Sequence, residues 1–334
     1  MATLLSAESE NQQDILQSAI ATPRAAAHAG TLIVVLGMHR GGTSAINRAM
    51  VTLGADLGDH LGTPKAGEND KGFFEDLDIV EINEQILAAA HSKWHTLAPV
   101  DFGRIDPAKL AALRMKAASV LRERCRNRTF ALKDPRLSRL LAFWQPVFDQ
   151  VQLRVAYVIA VRNPVSVGLS LQKRNGFAPE RSYSLWLGHM VPALRATHNQ
   201  PRAVVEYDSL MDSPRDELTR MARQLGFVLN EKRARTFESE FLDKGLQHWR
   251  YGTQDFERMR AVPREARELF TALVSVSRVD GARYQGTLEI ALRNAQCHLE
   301  ALGGTQSQQG VGSHARFLLQ QIAAPFRAMR GRLS

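Results

Sequence analysis

The sequence predicts an α/β fold, a three-layer sandwich in which helices cover both faces of a central parallel sheet. Three observations point there. Short runs rich in β-branched residues and leucine recur at Thr31 to Leu36, Thr129 to Leu132, Val155 to Val161 and Ala203 to Glu206, as expected of strands buried on both faces. Helical spacing separates each run from the next, the alternation that builds parallel sheets. A glycine-rich turn follows the first run at once, and Ser44 to Leu53 then carries Ile46, Met50 and Leu53 at helical spacing and stops at Gly54, giving strand, loop, helix.

At 334 residues and 44% apolar content, one large domain with appendages is the expected organisation. Residues 1–29 read as a polar helical extension and 30–302 as the main domain. The Gly-, Gln- and Ser-rich 303–314 reads as a linker, and 315–334 as a basic amphipathic helix with Arg316, Arg327, Arg330 and Arg332 and no acid. That last segment suits either a membrane surface or partner, or packing against the body. Glu8, Glu10 and Asp14 stand where a signal peptide needs a basic and then an apolar run, and the longest apolar stretches are too short to span a bilayer. A cytoplasmic protein is expected, with possible peripheral contact at the inner membrane surface. The two cysteines, Cys125 and Cys297, have no ligand or disulfide spacing.

The formal charge of +9 favours an anionic ligand, nucleic acid or acidic membrane. Between Arg104 and Arg139 lie eleven basic and three acidic residues, nearly the whole excess. This stretch reads either as a solvated helix face or as a field directed at a site.

Gly37-Met38-His39-Arg40-Gly41-Gly42-Thr43-Ser44 sits between the first strand and the first helix. There the backbone wraps closely, N–H groups converge on an anion, and Thr43 and Ser44 add hydroxyl donors. A nucleoside-triphosphate loop needs Lys where this one has Thr43; the cation here comes earlier, as Arg40. A second strand-to-helix junction, Arg162-Asn163-Pro164, offers Arg162 at the strand end, a cap in Asn163 and a first-turn proline, with Ser170 about two helical turns on.

At these residues the chain resembles the sulfotransferases that use 3'-phosphoadenosine 5'-phosphosulfate (PAPS) and release 3'-phosphoadenosine 5'-phosphate (PAP). Their 5'-phosphosulfate loop runs basic residue, small residue, Gly, then two hydroxyl residues, the order of Arg40-Gly41-Gly42-Thr43-Ser44; the departure is Arg40, where Lys is usual. Their 3'-phosphate motif places Arg at a strand end and Ser eight residues on, as Arg162 and Ser170 stand here. The resemblance covers about residues 31 to 230 and implies a P-loop NTPase-like fold, PAPS as donor, no metal, and a hydroxyl or amine acceptor. It also implies nucleotide contact for Tyr207, at the end of a short strand, where core packing is the competing reading. The family's later Gly-rich loop with a terminal Lys has no clear counterpart, although Arg250 stands in the right region.

Sulfuryl transfer resembles phosphoryl transfer and asks for a base and a cation near the departing oxygen. Lys133, at the end of a buried strand and followed by Asp134 and Pro135, is the expected cation, with Asp134 as its orienting partner. Glu75, beside Phe73 and Phe74, is the expected base, since burial there would raise its pKa; the rival reading has it opening a helix from Asp76 to Leu87. His60, His91 and His95 are reserve candidates, and Trp94, Trp186 and Trp249 are available for stacking against a glycan, glycolipid or small metabolite. No H-E-x-x-H or paired-Cys spacing occurs, and no metal is expected. The competing functions are a P-loop kinase or NTPase, a non-catalytic nucleotide-binding membrane-associated protein, and, from charge alone, a nucleic-acid protein. The kinase lacks its loop lysine, and the nucleic-acid reading lacks interleaved aromatics and a recognisable module.

Overall fold

The first strand, β1 (Gly30–Leu36), shows why its run is unbroken. Leu32, Val34 and Leu36 enter one apolar cluster and Ile33 and Val35 enter another on the opposite face, all fully buried. Strand side chains alternate faces, so a strand covered on both sides keeps no polar position. The computed structural model describes residues 30–63, 72–243, 245, 249–259, 261–278 and 286–302. The expected extension (1–29), linker (303–314) and C-terminal basic helix (315–334) lie outside the described residues.

Three more strands join β1: β2 (Thr129–Lys133), β3 (Leu153–Val161) and β4 (Arg202–Glu206). All pairings are parallel, in the order β2-β1-β3-β4. Each strand forms within two residues of its expected ends. The register sets Val35 beside Lys133 and Leu36 beside Ile159, so the ends of β1, β2 and β3 that carry the predicted motifs lie on one edge of the sheet.

The named helices are α1 (Thr43–Ala49), α2 (Leu77–Ala89), α3 (Pro107–Arg124), α4 (Leu137–Val151), α5 (Pro164–Asn175), α6 (Pro179–Ala196), α7 (Tyr207–Asp212), α8 (Pro214–Leu225), α9 (Glu231–Thr236) and α10 (Arg264–Arg278). A further helix covers 286–302. Residues of α2 to α6, α10 and 286–302 share the cluster on one face, and residues of α1, α8 and α9 share the other. This makes the expected three layers. None of the described helices is long and apolar enough to cross a membrane.

Two local expectations are corrected. The helix foreseen over Ser44 to Leu53 is α-helical only to Ala49, then tightens into a 3₁₀ turn that ends at Gly54 with φ 85°. The strand foreseen to end in Tyr207 ends at Glu206, and Tyr207 opens α7. The basic stretch from 104 to 139 is also not a field gathered at one site. Arg124 bridges Asp76 (2.7 Å) and Asp78 (2.6 Å), Arg128 pairs with Asp56 (2.6 Å), and Arg139 donates to the carbonyls of Lys93, Trp94 and Ala98. Arg104, Lys109, Lys116, Arg122, Arg126 and Arg128 are exposed, as a solvated helix face would have them; of the stretch, Lys133 and Arg136 are the charged members that line the cleft described next.

Candidate functional site

The cleft lies over the strand edge that carries the motifs and encloses about 870 Å³. Its floor is the loop after β1. Ser138, at the start of α4, accepts from the Gly37 N–H (2.8 Å) and donates to the Gly37 carbonyl (3.1 Å), pinning the loop's entry to a neighbouring helix. The chain then folds tightly enough for the Gly41 N–H to reach the Met38 carbonyl at 2.9 Å, with Arg40 at φ 65°. Gly42, the cap of α1, has φ 79°, and a Cβ there would lie 2.2 Å from the Tyr207 ring. Glycine is required at this point both by conformation and by space. Tyr207 is therefore both a packing residue, as its competing reading held, and a wall of the cleft.

The two sequence motifs, 122 residues apart, meet here. Arg40 Nε donates to Ser170 Oγ at 2.8 Å, and Arg162 Nη1 donates to the Arg40 carbonyl at 3.3 Å. Arg162 also donates to the Trp249 carbonyl (2.9 Å) and lies over the Tyr207 ring at 4.6 Å, while its buried Nε has no partner among the described residues. Burial, with the ring and Asp208 opposing it, lowers the Arg162 pKa from its ordinary value. The junction is built as the sequence suggests: Asn163 caps α5 by accepting from the Val165 N–H (2.9 Å), and Trp186 Nε1 donates to the Arg162 carbonyl (3.1 Å).

Lys133 and Glu75 also meet. The Lys133 ammonium donates to Glu75 Oε1 (2.5 Å), to Ser44 Oγ (3.0 Å) and to the Phe73 carbonyl. Three acceptors use all three of its hydrogens. Ser44 itself donates to the Phe73 carbonyl (3.1 Å), so the loop after β1, Lys133 and Glu75 share one network. Asp76, and not Glu75, caps α2, accepting from the Asp78 and Ile79 N–H groups, which leaves the Glu75 carboxylate for the cleft. Burial raises the Glu75 pKa against the pull of Lys133, and burial lowers the Lys133 pKa against the pull of Glu75. Each group is held closer to its neutral form than it would be in water.

Several expected roles are corrected. Asp134 does not hydrogen-bond Lys133: it accepts from Asn83 (2.9 Å) and from Arg136 (2.9 Å), and Asn83 in turn accepts from Trp144 (2.8 Å). It influences Lys133 through charge alone. His60 faces Asp78 at 3.2 Å, His91 is exposed, and His95 contacts Arg181 outside the cleft lining. Arg250 pairs with Asp212, and Trp186 is buried in the core; Trp94 and Trp249 do line the cleft. His60, Asp76 and Asp78 bring three ligand-type atoms within 4.8 Å of one another, two of them from the Asp76-Leu77-Asp78 spacing; Arg124 bridges both carboxylates.

The sequence also missed His39, a loop residue whose ring meets Trp94 (centroids 4.2 Å apart) and His189 (5.9 Å) and lines the cleft. The only signal was its place inside the loop. Burial holds His39 well below its ordinary pKa and takes His189 to about 3. In the unfolded chain both take up protons near pH 6.5, so below that pH the unfolded state binds more protons and stability falls. Between about pH 6.5 and 3, His189 alone costs roughly 1.4 kcal/mol per pH unit. In urea titrations across that range, His189→Gln is expected to flatten the acid limb by about that slope.

No protein-family model matches the chain, and no curated protein sequence matches it. Among solved structures, it is similar to a sulfotransferase domain from the Synechococcus PCC 7002 olefin synthase, with TM-score 0.38 and 15% identity, over 82% of this chain and 97% of that one. It is also similar to a sulfotransferase domain from the curacin biosynthetic pathway, with TM-score 0.41 and 16% identity, over 80% of this chain and 99% of that one. Both of these neighbours are sulfotransferase domains.

Proposed function

We propose that the protein is a sulfotransferase that moves a sulfuryl group from PAPS to a hydroxyl or amine acceptor. The observation that carries this reading is the meeting of the two anion motifs through Arg40, Ser170 and Arg162. Such a pair suits a nucleotide phosphorylated at both ends of its ribose, which ATP and GTP are not. The loop of Arg40, Gly41, Gly42, Thr43 and Ser44 would hold the 5' end, and Arg162 with Ser170 the 3'-phosphate. The unpartnered Arg162 Nε and the side-chain-free surface at Gly42 fit an anion resting against them. The Tyr207 wall fits the nucleoside beside them.

PAPS supplies the activated sulfuryl group; the chain supplies position and charge. Glu75, made more basic by burial, takes the proton from the acceptor. Lys133 keeps Glu75 in place and lends positive charge to the loop through Ser44. Because Lys133 already has three acceptors, its charge reaches a departing oxygen as a field passed on by Ser44 unless the Glu75 contact opens.

Calorimetry tests the reading directly. PAP is expected to bind, ATP to bind at least an order of magnitude more weakly, and Arg162→Ala to cost PAP about 2–3 kcal/mol, the range for a lost charge-assisted hydrogen-bonding group. Transfer from labelled PAPS to cell-extract acceptors should be unchanged by EDTA. Absence of heat with PAP, or turnover that EDTA abolishes, sinks the proposal in favour of a different nucleotide enzyme.

A further inference from the structure

α1 buries the amide of Asn47 completely, in a stretch whose neighbours Ile46, Ala49 and Met50 belong to the apolar cluster on that face of the sheet. Among the described residues that amide makes one hydrogen bond, from Nδ2 to the Phe74 carbonyl at 3.1 Å, and its buried Oδ1 has no partner. A buried acceptor left unpaired costs stability, so packing alone does not account for an amide at this position. Ser44, three residues earlier on the same side of α1, donates to the Phe73 carbonyl at 3.1 Å. One helix thus takes two successive carbonyls of the segment that leads into Glu75.

That segment is strained where Asn47 grips it. Phe74 has φ 53°, a left-handed backbone that bulky residues rarely adopt and that persists only where the surroundings impose it. Asn47 holds its carbonyl, and its ring packs edge-on against Phe241 with centroids 5.8 Å apart. Beyond Phe74 the chain is fixed again: the Glu75 carbonyl accepts from the Gly62 N–H (3.1 Å), and Asp76 is tied to Arg124 (2.7 Å). With Phe74 left-handed, its ring joins the apolar cluster shared with α1 while the next side chain, Glu75, leaves toward Lys133 and meets it at 2.5 Å. A return of Phe74 to negative φ rotates the chain between these fixed points and carries the carboxylate away from the ammonium.

We propose that Asn47 is a positioning residue for the reaction: by gripping the Phe74 carbonyl it keeps that residue left-handed and the Glu75 carboxylate on Lys133, where it meets the acceptor. This inference rests on Glu75 as the base. A clamp that merely stabilises the fold makes the same bonds, and the two roles part in experiment.

Asn47→Ala is expected to lower turnover of labelled PAPS with cell-extract acceptors by about 30-fold or more, as a displaced reacting group does. The KM for PAPS and the calorimetric PAP affinity should stay within about threefold of the parent, because the change reaches the base and leaves the donor contacts in place. In the Glu75→Gln background the same substitution is expected to cost less than about twofold, since a base already removed cannot be misplaced. Equal losses in the two backgrounds, or PAP affinity lost along with turnover, overturn the inference. Asn47→Thr, whose hydroxyl bonds the carbonyl of the preceding helical turn in place of Phe74, takes the same test where alanine does not fold. If the parent transfers nothing, or Glu75→Gln transfers at the parental rate, the base reading falls by itself and urea unfolding decides the positioning. The factor by which Glu75→Gln lowers the folding equilibrium constant should shrink at least about threefold in the Asn47→Ala background, where the carboxylate has already left Lys133. An unchanged factor removes the inference.

Discussion

Glu75→Gln is expected to lower turnover by roughly 10²- to 10⁴-fold, the usual contribution of a positioned general base, with PAP affinity within a few-fold of the parent. The amide keeps the shape of the carboxyl group and its place beside Lys133, so a lost proton acceptor is the change that matters. It also leaves the buried ammonium facing a neutral group, which costs stability. Breaking a buried pair typically costs about 3–5 kcal/mol; because Ser44 and the Phe73 carbonyl remain as acceptors, about 1–3 kcal/mol is expected here. Adding Lys133→Met should recover much of that stability by removing the second charge, and should not recover turnover. Single-turnover transfer from labelled PAPS, denaturant midpoints and PAP calorimetry on the two variants separate the chemical role from the structural one. If Glu75→Gln transfers at the parental rate, the base lies elsewhere, and His39 is the residue at the cleft to examine next.

The second large effect is expected at Gly42. Alanine there must adopt a left-handed backbone, costing about 1–2 kcal/mol, and its Cβ would stand 2.2 Å from the Tyr207 ring, so the ring must move at a cost of about 1–3 kcal/mol. Moving the ring also disturbs Arg162, which lies over it at 4.6 Å. Gly42→Ala should therefore weaken PAP binding by two orders of magnitude or more, since both anion motifs shift together. In the double variant Gly42→Ala/Tyr207→Ala the ring clash is gone, while the close approach to the residue 207 Cβ (3.0 Å) and the backbone strain stay, so stability should return in part. A full return would mean the left-handed φ is not costly in this loop; no return would mean the ring is not the obstacle.

The strands were legible because each is buried on both faces and so must be written in apolar residues. The phosphate loop and the Arg162 junction were legible because a tight turn needs glycine, a helix start favours Asn and Pro, and both are local. What was not legible depends on which distant residues meet. Asp134 follows Lys133 in the chain, yet the pleat turns successive side chains apart, and Asn83 and Arg136 claim it. The histidines singled out from the sequence lie off the lining of the cleft, while His39 lies on it, because the turn of the phosphate loop and not a periodicity directs its ring. The basic run from 104 to 139 could be counted from sequence, but its ion-pair partners Asp56, Asp76 and Asp78 come from before α3 and could not be paired with it in advance.

Several cations around the cleft are steadied by main-chain oxygens: Lys133 by Phe73, Arg162 by Arg40 and Trp249, Arg139 by Lys93, Trp94 and Ala98. A carbonyl survives any substitution that preserves the path of the chain. Over evolutionary time the residues at positions 93 and 98 are accordingly free to drift while the scaffolding of the site persists, so descendants share its architecture with less left in common in their letters.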